Sequence, residues 1–186
     1  MRKLASISIF IFILTGAASA QVPTSGNVFF GYSYYNTDLS TINRANTNGW
    51  EASLEGKVFP LLGIVADFDG HYGSQVFPFA CPVGSVGCSG PPPATNFTEH
   101  NVLFGPRLSA SVGRFRPFAE AMFGVGHVNA NAFGSDTSFA TAIGGGLDYR
   151  LIRIVAWRFQ GDYVRTSFFH ADQNNVRIST GIALHF

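Results

Sequence analysis

The stretch Trp50-Glu51-Ala52-Ser53-Leu54-Glu55-Gly56-Lys57-Val58 decides the fold class. Trp50, Ala52, Leu54 and Val58 share one parity, and Glu51, Ser53, Glu55 and Lys57 share the other. A repeat of two is the signature of a β-strand whose faces meet different surroundings. Charged residues at every second place cannot all face an apolar medium, so this strand has one apolar face and one polar face.

Outward from that stretch the alternation recurs about eight times, as expected if every second side chain of a closed barrel faces lipid and the others face a lumen. A strand over 27–36 sets Val28, Phe30, Tyr32 and Tyr34 against Phe29, Gly31, Ser33 and Tyr35. After a turn at Pro60, Leu62, Ile64, Ala66, Phe68 and Tyr72 alternate with Gly63, Val65, Asp67, Asp69 and His71. The strand over 99–110 points Val102, Phe104, Pro106 and Leu108 outward and Asn101, Gly105, Arg107 and Ser109 inward; a proline inside it weakens the assignment. Next, Phe115, Pro117, Ala119, Ala121, Phe123 and Val125 oppose Arg116, Glu120, Met122 and two glycines. In 137–150, Phe139, Ile143, Leu147 and Tyr149 oppose Ala140, Ala142, Gly144, Gly146, Asp148 and Arg150. Val155, Trp157, Phe159 and Tyr163 then oppose Arg158, Gln160 and Asp162. Finally Val176, Ile178, Thr180, Ile182, Leu184 and Phe186 face outward, with Arg177 and Ser179 inward. The expectation is an all-β, eight-stranded antiparallel up-and-down transmembrane barrel.

The composition agrees with this reading. Only 12% of residues are charged and 46% are hydrophobic, with 21 Gly and 19 Phe, whereas a soluble domain carries about 25% charge. A soluble β-sandwich would need a richly charged outer face, but here the strand charges fall on the parity of glycine and serine. A formal net charge of +1 argues against an electrostatic nucleic-acid binder.

Arg2 and Lys3, an uncharged apolar run over 4–14 and the small residues Ala18-Ser19-Ala20 predict a secretory signal peptide over 1–20, with the barrel domain over 21–186. The apolar run is about eleven residues, too short for a spanning helix, which needs roughly twenty. Export leads through an oxidising compartment, so Cys81 and Cys88 are expected to form a loop disulfide. They lie in 73–96, a long stretch without periodicity that also holds Pro91-Pro92-Pro93. Connections near Pro60, Gly113 and Ile152 are short, whereas those at Asn36, Gly73, Asn129 and Ser167 are longer, the asymmetry expected of short periplasmic turns and longer outer loops.

Particular segments are also familiar: 65–73 (Val-Ala-Asp-Phe-Asp-Gly-His-Tyr-Gly), Leu103-Phe104-Gly105-Pro106-Arg107, Arg116-Pro117-Phe118-Ala119-Glu120, Asp162-Tyr163 and Arg177-Ile178-Ser179-Thr180-Gly181-Ile182. They resemble the bacterial outer-membrane β-barrel domain family, which is similar to the transmembrane part of OmpA-type proteins. The resemblance implies an outer-membrane location, lipid as the surrounding partner, and assembly machinery that recognises the terminal Phe186. It implies no cofactor, and with Phe186 on the last strand no peptidoglycan-binding domain is expected after the barrel.

The inward parity collects Glu51, Glu55, Asp67, Asp69, Glu120, Asp148 and Asp162 with Lys57, Arg107, Arg116, Arg150, Arg158 and Arg177, an almost balanced set. An interior of eight strands is just wide enough for side chains to fill, so these charges are expected to pair and plug the lumen. The alternative is a small or gated porin-like channel lined by the same groups. A catalytic site at Ser167, His170 and Asp172, or at His127, is disfavoured because no spacing matches a known signature. His71 beside Asp69 has no second metal ligand in the pattern, and Gly144-Gly145-Gly146 lacks the Lys-Ser/Thr of a phosphate loop. Asn96-Phe97-Thr98 matches a glycosylation acceptor, which carries no information in a bacterial chain. The expected role is structural or interactive, non-enzymatic, with Phe77, Phe79 and Val83 marking the 73–96 loop as the best contact for an outside ligand.

Overall fold

The computed structural model describes residues 25–38, 44–76, 94–130 and 134–186. Strands β1 (Gly26–Thr37), β2 (Ala45–Lys57), β3 (Leu62–Val76), β4 (Ala94–Ser109), β5 (Phe115–Ala130), β6 (Gly134–Arg150), β7 (Val155–Thr166) and β8 (Gln173–His185) follow one another. Each pairs antiparallel with the next and β8 pairs with β1, closing the barrel. Closure leaves no strand edge unpaired, the condition for a sheet to sit in lipid. At the seam, Gly26 N–H donates to Phe186 C=O at 3.0 Å and Phe186 N–H to Gly26 C=O at 3.1 Å, so the last residue is fixed in the ladder.

Exposure follows the sequence parity. Along β1, Phe29, Ser33 and Tyr35 are buried while Phe30 and Tyr32 are exposed on the outer wall. The outer wall carries Ile64, Phe68, Val102, Phe104, Phe123, Phe159 and Ile182, residues that water would not tolerate in such density. Towards the open-loop end the wall turns aromatic and then polar. Tyr32 donates to Asn48, Tyr163 to Asn174 at 2.6 Å, and Tyr72 packs edge-on to His100. This is where an amphipathic ring sits when one end is in lipid and the other in water.

Two polar stretches expected as loops are strand. Gly73 to Val76 pair with Phe97 to Ala94, and Asn129 and Ala130 pair with Ser135 and Gly134. Their outward residues, Ser74, Asn96, Asn129 and Ser135, are polar and exposed, so no hydrophobic alternation marks them. The ladder continues there through backbone pairing. Only residues 131–133 separate β5 from β6, so the expectation of a long connection at Asn129 fails. At 12 to 17 residues, the strands exceed the roughly 9–11 that cross a bilayer, and the surplus lies at this polar end.

Pro106 is accommodated without ending β4. On the β5 side the ladder holds Phe104↔Phe123 and Arg107↔Glu120 but skips the two residues between, while Pro106 keeps Ile64 as its partner on β3. The signal segment 1–20, Cys81 and Cys88 lie outside the described residues.

Candidate functional site: the barrel lumen

Inward side chains form layers along the barrel axis. The layer nearest the short turns is built on Arg107, Arg116, Arg158 and Lys57. Arg107 donates from Nε to Glu120 at 2.6 Å, its Nη2 lies 2.6 Å from the same oxygen, and it reaches Glu55 at 3.4 Å. Arg158 holds both oxygens of Asp148, at 2.6 and 2.9 Å, and Asn27 at 3.0 Å. Lys57 lies 2.9 Å from Glu55, and Arg116 reaches the same carboxylate at 3.4 Å. Phe118 lies between two guanidinium groups, 4.5 Å from Arg107 and 4.7 Å from Arg158, with Phe29 5.0 Å from Arg158 on another side. Arginine suits this stack because its planar, weakly hydrated head tolerates an aromatic face.

The middle layer is instead rich in carboxyl groups. Arg177, fully buried, donates to Asp67 at 2.7 Å, Asp69 at 2.5 Å and Asp162 at 2.8 Å, and lies 3.4 Å from Glu51. Gln160 bridges Glu51 and Asp162 at 3.0 and 2.9 Å, and Ser179 binds both Ser33 and Glu51. Above them Glu99 accepts from Tyr35 at 3.0 Å, Asn101 donates to Asp69 at 2.9 Å, and His71 lies 3.2 Å from Asp69, stacked on Tyr35. No protein group among the described residues donates to Asp67 Oδ2, Glu99 Oε2 or Asp162 Oδ1.

The near balance expected from the sequence does not hold. Glu99 joins the buried carboxylates, whereas Arg150, although on the inward parity, is exposed at the rim of the barrel. Glu51, Glu55, Asp67, Asp69, Glu99, Glu120, Asp148 and Asp162 thus face Lys57, Arg107, Arg116, Arg158 and Arg177, and the surplus is concentrated around Arg177. The middle layer therefore holds more carboxyl groups than cations.

At the loop end the lumen turns apolar. Phe168, in a single 3-10 turn (Phe168–His170) between β7 and β8, is fully buried against Ala45, Phe97, Val128 and Ala130. Gln173 clasps it, accepting from Phe168 N–H at 2.8 Å and donating to Phe168 C=O at 3.1 Å. Phe169 and His170 adopt left-handed backbone with φ of 52° and 65°, a conformation uncommon outside glycine that is unfavourable for phenylalanine. No periodic signal could have marked Phe168, because its position comes from a turn. Glu99 was legible in principle, since it shares parity with Asn101 and Arg107.

No family model matches the chain, and no curated protein matches it. Solved structures do match. The crystal structure of Neisserial surface protein A (NspA) superposes with a TM-score of 0.67 at 13% identity, covering 87% of this chain and 97% of that one. Ail, the attachment invasion locus protein of Yersinia pestis, gives 0.58 at 16% identity in its complex with the heparin analogue sucrose octasulfate, over 87% of this chain and 98% of Ail. Ail alone gives 0.57 at 14% identity over the same shares. The chain has the fold of the eight-stranded outer-membrane barrels.

In this outer-membrane-type barrel the weighed catalytic residues do not assemble into a relay. Ser167 donates directly to Asp172 at 2.6 Å, and Arg165 holds the same carboxylate at 2.6 Å, so no imidazole stands between hydroxyl and acid. The Ser167 hydroxyl, with Arg165, holds the Asp172 carboxyl below the usual carboxylate range. His127 bonds Thr137 at 2.7 Å on the outer wall.

Proposed function

We propose that this chain is a bacterial outer-membrane protein, exported by the signal peptide at 1–20, whose barrel is held closed by its charged lumen and whose outer loops carry a structural or surface-interaction role. The observation behind this is the burial of Arg107, Arg158 and Arg177, each tied to carboxylates on other strands, beneath the Phe168 cap. Charges are retained in such an interior only when paired and hydrogen-bonded, and pairing across strands locks the barrel at the diameter that fits them. Lipid surrounds the wall, and assembly machinery that recognises Phe186 is its partner during biogenesis. No catalytic role is assigned.

The Ail structure holds a polysulfated sugar, but the described loop end here offers Arg44 and Arg165 against Asp38, Asp136 and Asp172. Both arginines are engaged, at 3.9 Å to Asp38 and 2.6 Å to Asp172. That charge balance does not favour a polyanion.

A porin-like channel is the second reading, and the surplus of carboxylates around Arg177 favours it. Planar-bilayer recording of the protein purified in detergent separates the two. Heat-modifiable gel mobility with a silent bilayer fits the closed barrel, whereas discrete cation-selective steps in the unmodified protein would replace it with the channel.

A further inference from the structure

The short-turn end differs chemically from the loop end. Lys57, Arg114, Arg116, Arg150, Arg153 and His185 converge there around a pocket of about 290 Å³. Its floor is internally satisfied: Lys57 and Arg116 share Glu55, Arg116 meets His185 at 2.9 Å, and the pocket's carboxylate, Asp148, is held by Arg158. Its rim is not. Arg114, Arg150 and Arg153 are exposed, and although every acidic residue of the sequence lies among the described residues, none is within ion-pair distance of them. A backbone bond ties two of these arginines together, Arg150 N–H donating to Arg114 C=O at 2.8 Å.

The turns themselves are apolar. Phe59, Leu61, Val112, Leu151, Ile152 and Ile154 are all at least half exposed, where water-facing turns would carry polar residues. A grooved patch on the outer wall begins beside the basic pocket: Pro60 and Arg116 line the pocket, and their chain neighbours Leu61 and Pro117 line a cavity of about 410 Å³ with Leu108 and Ala119. It continues up the wall past Pro106 and Ala121, where the ladder is interrupted and side chains are small, as a further cavity of about 310 Å³.

We propose that the short-turn end binds an anionic glycerophospholipid, its phosphate seated among Arg114, Arg150 and Arg153 and an acyl chain lying in the Leu61–Leu108–Pro117–Ala119 groove. Basic side chains beside exposed apolar residues match a ligand that is anionic at one end and hydrocarbon at the other. A soluble phosphate would use the arginines but not the adjoining groove. The inference rests on the membrane reading above and adds a lipid of defined charge to it.

The full-length protein, folded in dodecyl maltoside micelles and checked for heat-modifiable mobility, is titrated with phosphatidylglycerol, phosphatidylcholine and inorganic phosphate, and bound lipid is counted by native mass spectrometry. Phosphatidylglycerol should be retained at least about tenfold better than phosphatidylcholine. Each surface cation near anionic lipid contributes roughly fivefold, so the triple variant Arg114→Ala, Arg150→Ala, Arg153→Ala should lose about a hundredfold while still migrating as a folded barrel. Ala119→Trp, which fills the groove, should weaken phosphatidylglycerol and leave phosphate binding unchanged. Equal retention of the two lipids, or full retention by the triple variant, overturns the site but not the barrel. Phosphate or a muropeptide binding more tightly than phosphatidylglycerol likewise overturns it, assigning the pocket to a soluble anion or the cell wall. A chain that is soluble without detergent overturns the membrane reading and this site together.

Discussion

Replacing Arg177 with methionine removes the single cation of the mid-barrel layer while keeping much of its volume. In the wild-type protein that guanidinium lies within 3.4 Å of four carboxylates from β2, β3 and β7. Their shared counter-charge is then gone, in a layer where Glu99 adds a further carboxylate bonded to Tyr35 and Asn101. Breaking a buried ion pair by removing one partner costs about 3–5 kcal/mol, and four clustered acids place this case at the upper end. With a urea dependence of about 2 kcal/mol/M for a small domain, the unfolding midpoint in micelles should fall by roughly 2 M. Repulsion among the remaining carboxylates should also hydrate the layer, and bilayer recordings should show cation-selective steps absent from wild type. Adding Asp67→Asn and Asp162→Asn should recover at least half of the lost stability and silence the steps, a non-additive rescue expected of groups that share one partner. An Arg177→Met barrel with an unchanged midpoint and a silent bilayer would refute the view that this arginine holds the lumen together.

Other changes test separate parts of the argument. Phe168→Ala should cost about 3 kcal/mol in urea unfolding, because a fully buried ring leaves a cavity against Phe97 and Val128, and amide exchange should rise first between β7 and β8. Asp148→Leu alone should destabilise by several kcal/mol by leaving Arg158 without its carboxylate, whereas Asp148→Leu with Arg158→Leu should come much closer to wild type in the same assay. At Gly144 an added Cβ would lie 2.0 Å from Asp162 Oδ1 and 2.4 Å from Gly161 C=O, while at Gly161 its nearest neighbour is 4.0 Å away. Gly144→Ala should therefore lower stability by about 1–3 kcal/mol and Gly161→Ala should leave it nearly unchanged. Phe104→Arg, in the middle of the outward apolar run of β4, should cost about 2–4 kcal/mol on refolding into vesicles, which a solvated outer face would not show.

The alternation that revealed the strands was legible wherever lipid lies on one side and the lumen on the other, because those surroundings demand opposite residue types. It failed at the loop end, where the outward residues are polar. Residues 73–76, 94–98, 129–130 and 134–136 carry strand with no hydrophobic signature, since beyond the lipid the ladder is sustained by backbone pairing alone. The opposite end of the barrel explains Arg150: its parity is inward, yet it sits at the last residue of β6, where inward means the rim.

What the sequence by itself determined was parity: which residues face inward, that they include Arg107, Arg158 and Arg177, and that a barrel of about eight strands is needed to bury them. A repeat of two is a local property, fixed by the direction of successive side chains along one strand. Which charges meet was decided only by the tertiary structure. Closure of β8 on β1, together with the stagger between neighbouring strands, sets the height of each inward residue. It brings Arg177 from β8 to Asp67 on β3, 110 positions away, and it separates a basic layer from an acidic one in a set that looked almost balanced when read as a list. Pairing across a closed barrel depends on the register of every strand between the partners, and no single segment of the chain carries that information.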